Sequence, residues 1–390
     1  MNPSKVYYDI QIANYASTTT APPNVIFNEV REGPLIADAS LYEMSIVRFQ
    51  LDTLSIPCFT AEIQLSQPNP NLCVYSITMC YKGVNSDQTY VQWIPQNYNA
   101  PVPTGPSLNS SKLPDNTNFY YDIYNYQWFI DLVNTCFQNC FNSLKSNLGS
   151  VLLPTENIPF MVFDTANNSA IINCDVAGFQ TNTSDPMGTV AGGSTYIQIF
   201  FNASLFNLFY SFNAILCGNI GIQNGKNNLI KVLDTTSGLN TLQIPIFTTP
   251  DVVPYDAIQV LQLYSTVGIW TPISSIVFCS NTLPIHKNLL SNPLIYYDSV
   301  KVNVSSTGAN YANIITDMVA DGQYSPTLIY EPTVYRMISL IGNQPIKNID
   351  VQVYYKNKLG VLTPFKLNSN CSASIKIMFS KKNMLYIIYI

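Results

Sequence analysis

The sequence predicts an all-β fold: a single eight-stranded jelly-roll β-sandwich interrupted by a large inserted domain. Three observations predict it. Apolar and polar residues alternate with period two near both ends of the chain. Two long strand patterns precede Cys58 and six follow Val253, and two plus six is the strand number of a jelly roll. Between them lies a segment with strand patterns of its own and one strongly amphipathic helix. The expected division is 1–58 for the first part of the jelly roll, 59–254 for the insertion and 255–390 for the remainder.

Taken in order, Lys5 to Ile12 sets Val6, Tyr8, Ile10 and Ile12 against Lys5, Asp9 and Gln11, the signature of a half-buried strand. Leu41 to Leu51 is apolar on both sides, as where both faces of a sheet are covered. Within the insertion, Val74–Tyr81, Phe160–Phe163 and Tyr196–Phe201 read the same way. The stretches 100–118 and 179–194, rich in Pro, Gly, Ser, Thr and Asn, read as linkers. Between them, Phe129, Ile130, Val133, Phe137, Cys140, Phe141, Leu144 and Leu148 follow the i, i+3, i+4, i+7 rule, so a helix is expected over Trp128–Leu148, ended by Gly149. A second, short helix is expected over Ser204–Tyr210, capped by Asn202 or Ser204. The six later strands are expected near 257–265, 270–280, 295–304, 333–341, 348–356 and 372–380. Asn357 to Gly360 reads as a turn.

Composition excludes several functions. Charged residues are only 11% of the 390 residues, with a net charge of −5 and no basic patch, so nucleic-acid binding is not expected. A single histidine, His286, removes histidine triads and His-rich metal sites. No phosphate loop, dinucleotide glycine pattern or nucleophile elbow occurs, so neither cofactor nor catalytic residues are expected. Asp317, Asp321 and Glu331 fall in one region, but turn capping explains them better than acid–base chemistry. The nine cysteines form no CxxC pair and sit mostly in apolar runs, which reads as free buried thiols of a reducing compartment. No signal peptide is expected, and the six N-x-S/T sequons, at Asn109, Asn167, Asn182, Asn202, Asn303 and Asn370, read as chance in an Asn-rich chain. Ile197–Cys217 is apolar, but its Gln and Asn residues argue for buried core over a membrane span.

The residues singled out are structural. Arg48 shares a face with Tyr42, Met44 and Ile46 on simple alternation, and Arg336 sits in the apolar run Tyr335–Leu340. With three arginines in the chain, both are expected to be satisfied guanidinium groups, Arg48 buried, with a subunit interface as the sharper alternative.

Three blocks carry a resemblance. Tyr42-Glu43-Met44-Ser45-Ile46-Val47-Arg48-Phe49 with Ile56-Pro57 is the first, and Trp270-Thr271-Pro272 through Phe278, with Leu283-Pro284, is the second. The third runs from Asn313-Ile314-Ile315-Thr316-Asp317 through Tyr335-Arg336-Met337-Ile338 to Ile349-Asp350-Val351, Gly360 and Lys376. In order and joint occurrence they resemble penton (capsid vertex) proteins of virophages of the Sputnik type and of Polinton-like, double-jelly-roll-lineage viruses. The resemblance covers about half the chain, mostly its two ends. It implies a structural protein that forms a homopentamer at the icosahedral five-fold vertex of a virion assembled inside the host cell. It also implies neighbouring major capsid protein capsomers as partners, with a fibre or minor capsid protein as a further one. Tyr42, Arg48, Trp270, Asp317 and Arg336 lie in these blocks and are expected to serve structure. A receptor- or carbohydrate-binding β-sandwich, using the 26 Tyr and three Trp as stacking faces, and a major capsid protein are the alternatives.

Overall fold

In a computed structural model, the structure describes residues 4–15, 22–64, 69–96, 100–103, 119–218, 225–233, 242–243, 255–289, 294–297, 300–303, 311–319, 327–358 and 360–382. The strands that build the argument, in chain order, are β1 (Lys5–Asn14), β2 (Ile26–Val30), β3 (Tyr42–Asp52) and β4 (Leu72–Tyr81). Then come helix α1 (Tyr126–Leu148), β5 (Phe160–Asp164), β6 (Ser169–Asp175), β7 (Gln198–Phe201), helix α2 (Ala203–Leu208) and β8 (Asn228–Ile230). The chain continues with β9 (Asp256–Leu261), β10 (Ile273–Cys279), β11 (Ile314–Met318), β12 (Thr327–Tyr330), β13 (Asn348–Asn357) and β14 (Cys371–Lys381).

Two antiparallel sheets form a sandwich from the two ends of the chain. One has the order β1-β14-β3-β12, the other β2-β13-β10-β11. Tyr8 of β1 meets Phe27 of β2 edge-on at 6.1 Å between ring centres, and Phe49 of β3 meets Phe278 of β10 at 4.8 Å. Strand β1 therefore lies over β2 and β3 over β10, which leaves β11 and β12 together at the opposite side. This eight-strand arrangement is that of a jelly roll.

Setting aside the short strands Ile338–Ser339 and Leu362–Pro364, which pair off the main path, the eight are partitioned differently from the sequence expectation: three come from before Cys58 and five from Ile273 onward. Strand β9, expected in the sandwich, pairs with β6 instead. Its apolar residues Ala257, Ile258 and Val260 suit any covered sheet, and nothing local selects the partner. The expected strand near 295–304 is a hairpin of Leu294–Tyr297 with Val300–Asn303, outside both sandwich sheets. Of 333–341 only Ile338–Ser339 joins the ladder of β3. Strands β2, β11 and β12 take the vacated places; each is an edge strand of four or five residues, too short to show a period.

The middle of the chain builds its own core. A sheet containing β8, β7 and β4 and another containing β9, β6 and β5 pack with α1. Helix α1 starts where Asn125 caps the amide of Gln127 and ends at Gly149, whose φ of 60° suits glycine. Phe129, Val133, Phe137 and Leu144 are fully buried, as the spacing predicts. Helix α2 is capped by Asn202, which accepts from the Leu205 amide, one of the two expected caps. The sandwich core draws on residues from Tyr8 to Ile56 and from Ile273 to Phe379, the middle core on residues from Cys58 to Trp270. Among the described residues no helix is long and apolar enough to cross a membrane. The linker at 104–118, Asp321 and the sequon at Asn109 lie outside the described residues.

Candidate functional site

Arg48 is not buried. Its side chain is 40% exposed and pairs with Asp9 at 3.5 Å, and Lys376 pairs with the same carboxylate at 3.3 Å. The cause is a bulge. Opposite β14 the register shifts between Lys376 and Ile377, which pair with Arg48 and Ile46 and leave Val47 as the extra residue. One extra residue reverses the alternation. The inward set is Tyr42, Met44 and Ile46 before the bulge and Phe49 and Leu51 after it, so Arg48 turns outward. Simple alternation placed it on the wrong face.

Arg336 stands outside any strand, on the exposed stretch Glu331–Met337, and its Nη1 donates to the Asp317 carboxylate at 2.7 Å. The structure thus joins two of the singled-out residues, one from β11 and one from the stretch after β12. Tyr42 is buried at the start of β3, in the sandwich core. Trp270 is buried in the middle core, on a short helical turn and not on a strand. Its Nε1 donates to the Leu208 carbonyl at 2.8 Å, and its ring meets Phe59, Tyr126, Phe129 and Phe209. It seals the middle core three residues before β10 begins.

Two carboxylates escaped the sequence reading. Asp350 falls on the polar side of an alternating strand, yet it is buried. It accepts from the hydroxyls of Ser280 and Thr282, the amides of Asn281 and Thr282, and the Gln352 amide side chain. Those donors hold its carboxyl below the usual range, although burial alone would raise it. The turn after β10 is thereby tied to β13. Asp122 sits where the chain passes from the sandwich into the middle unit, on the two-residue ladder of Phe59–Thr60 with Asp122–Ile123. Burial pushes its carboxyl up to about 7, against the Thr60 hydrogen bond and the charge of Lys366, which pull it down. It lines a cavity of about 30 Å³ with Tyr124, Tyr355 and Lys366, residues from both sides of the junction. Neither carboxylate carries a local sequence signal, because burial is decided by packing from distant segments.

Among the described residues no group of three or more His, Cys, Asp and Glu gathers in a way that could hold a metal ion. The family model of the Sputnik minor capsid protein V18/19 matches residues 6–381. The chain belongs to that family. It is a structural component of a viral capsid. Among Sputnik virophage proteins, "Uncharacterized protein V18" is 34% identical over 150 residues, 38% of this chain and 89% of that protein. "Structural protein V19" is 27% identical over 201 residues, 49% of this chain and 84% of that protein. A chain in the cryo-EM structure of the Sputnik virophage superposes with a TM-score of 0.73 at 26% identity, over 97% of this chain and 98% of that one. The mavirus penton protein superposes with a TM-score of 0.56 at 14% identity, over 97% of this chain and all of that one. At that identity the likeness is one of fold.

Proposed function

We propose that this chain is a penton subunit, five copies of which close a ring at each icosahedral five-fold vertex, flanked by major capsid protein capsomers and without enzymatic turnover. The observation that carries the reading is the sheet order β1-β14-β3-β12 over β2-β13-β10-β11, one jelly roll, in a chain of a capsid protein family. A major capsid protein of the double-jelly-roll lineage needs two such sandwiches, and the middle unit has a different sheet order around α1. The likeness of fold to the mavirus penton protein supports the same reading. We divide the chain into a sandwich and an insertion of about 59–254, with core membership favouring a second boundary between Trp270 and Ile273. The buried free thiols suit assembly in a reducing cell interior. Native mass measurement of the purified protein, or of disassembled vertices, tests the reading. A species of five copies is expected, and a stable dimer or trimer as the only assembled species overturns it.

A further inference from the structure

The two cores share no buried residue, and the chain crosses between them twice, from Ile56 to Cys58 and from Trp270 to Ile273. Beside the first crossing, a ladder of two residues a side joins Phe59–Thr60 to Asp122–Ile123. The Cys58 amide donates to the Ile123 carbonyl at 2.7 Å, and the Ala61 amide to the Tyr121 carbonyl at 3.1 Å. Few contacts hold the sandwich against this ladder. Lys358 donates to the Gly268 and Ile269 carbonyls at 3.3 and 2.6 Å, and the Lys366 ammonium lies 4.1 Å from the centre of the Phe119 ring. The Tyr124 hydroxyl bonds the Asn368 side chain. A joint with so few buried contacts is the kind that opens locally while the cores beside it stay closed.

Asp122 stands inside this joint. It belongs to the ladder of the middle unit, is buried, and lines the small cavity with Tyr355 and Lys366 of the sandwich. The groups that face it are Thr60, which donates at 2.8 Å, with Cys58 and Tyr124 from its own side and Tyr355 and Lys366 from the other. Burial raises the Cys58, Tyr124 and Tyr355 groups, so all three stay neutral near pH 7. Lys366 is the one cation among them; it sits on the Phe119 ring and, among the described residues, closes no ion pair with Asp122. An ionised carboxylate here lacks the partners or the water that a buried charge requires. The cavity of about 30 Å³ has room for about one water, so further hydration needs the two sides of the joint to part.

We propose that this joint is a proton-controlled hinge: neutral Asp122 locks the middle unit onto the sandwich, and ionised Asp122 draws water into the joint and frees the middle unit to swing about its two crossings. The raised carboxyl sets the direction. The closed joint holds the proton more tightly than the open one, so the lock is full in acid, weakens as the pH rises toward about 7, and is then constant. The hinge does not rest on the penton reading, since it works within one subunit.

Hydrogen exchange of the full chain, read by mass spectrometry and corrected for the intrinsic rate at each pH, tests it. Between about pH 5 and about pH 8, opening at the amides of 58–61 and 119–124 is expected to rise about tenfold or more, and to exceed opening at α1 and β14. Asp122→Asn keeps the shape and the hydrogen-bonding capacity of the side chain, and its joint should stay closed at both pH values. Lys366→Met removes the cation that favours the carboxylate and should move the midpoint to higher pH. Three results overturn the hinge: joint amides as protected as those of α1 and β14 at both pH values, which would mean that the joint opens only with global unfolding; the same pH dependence in Asp122→Asn; and a midpoint that Lys366→Met leaves in place.

Discussion

At Asp350, a buried carboxylate is held by donors from three consecutive residues, Ser280 to Thr282, and by Gln352. Removing the acceptor leaves those donors without a partner, and each buried unsatisfied group costs about 1–3 kcal/mol. Asp350→Ala is expected to lower stability by about 3 kcal/mol in denaturant unfolding, since relaxation and water recover part of the loss. Its folded pKa is depressed, so the ionised form stabilises the fold above the ordinary carboxylate range, and that contribution is lost as the pH falls through the folded value. Asp122 has the opposite sign. Its folded pKa is raised from 3.8 to about 7, so the folded state holds the proton more tightly than the unfolded state. Stability from this group is full below the unfolded value, declines as the pH rises toward about 7, and is then flat. A shift of roughly three units corresponds to about 4 kcal/mol. Asp122→Asn should remove that slope; unfolding measured across mildly acidic to neutral pH, with the same slope in the variant, would assign the pH dependence elsewhere.

At the scale of elements, α1 was the most legible feature. Eleven of its residues are buried on one stripe, and its cap and terminator are local residues, Asn125 and Gly149. Phe137 is fully buried and meets Phe201 at 6.1 Å. Phe137→Ala is expected to cost about 3–5 kcal/mol by removing apolar contact and leaving a cavity. An unchanged melting temperature would show the site able to collapse around the loss. Strand β3 was half legible. Its inward residues up to Ile46 follow alternation, but the bulge at Val47 is a matter of pairing with β14, and a single extra residue moved Arg48 to the outside. Edge strands β2, β11 and β12 were not legible, because a strand of four or five residues with one side open needs little pattern to pair.

For the whole molecule, two cores share one chain, with the sandwich drawing on both ends and the middle unit on what lies between. Phe137→Ala and Asp350→Ala fall in different cores. Their separate effects should therefore add to within about 0.5 kcal/mol in the double variant, as for distant independent sites. Strong non-additivity would mean that the two sites are energetically coupled across the junction. Assembly should depend little on salt, because only 11% of the residues are charged and few charge pairs are available to screen. The oligomer distribution by light scattering should stay nearly constant from low to high salt, and dissociation at high salt would mean that charge dominates the contact.

The sequence by itself determined which residues face inward over most of β1, β13 and β14, which face of α1 is buried and where that helix stops, and the absence of any catalytic motif. Those properties follow from local periodicity and local capping. Only the tertiary structure decided that β9 joins the middle unit, that Arg48 faces out, and that Asp122 and Asp350 are enclosed. Each of these depends on pairing between segments far apart in the chain. A strand pattern encodes which faces are covered, but it carries no record of the segment that covers them.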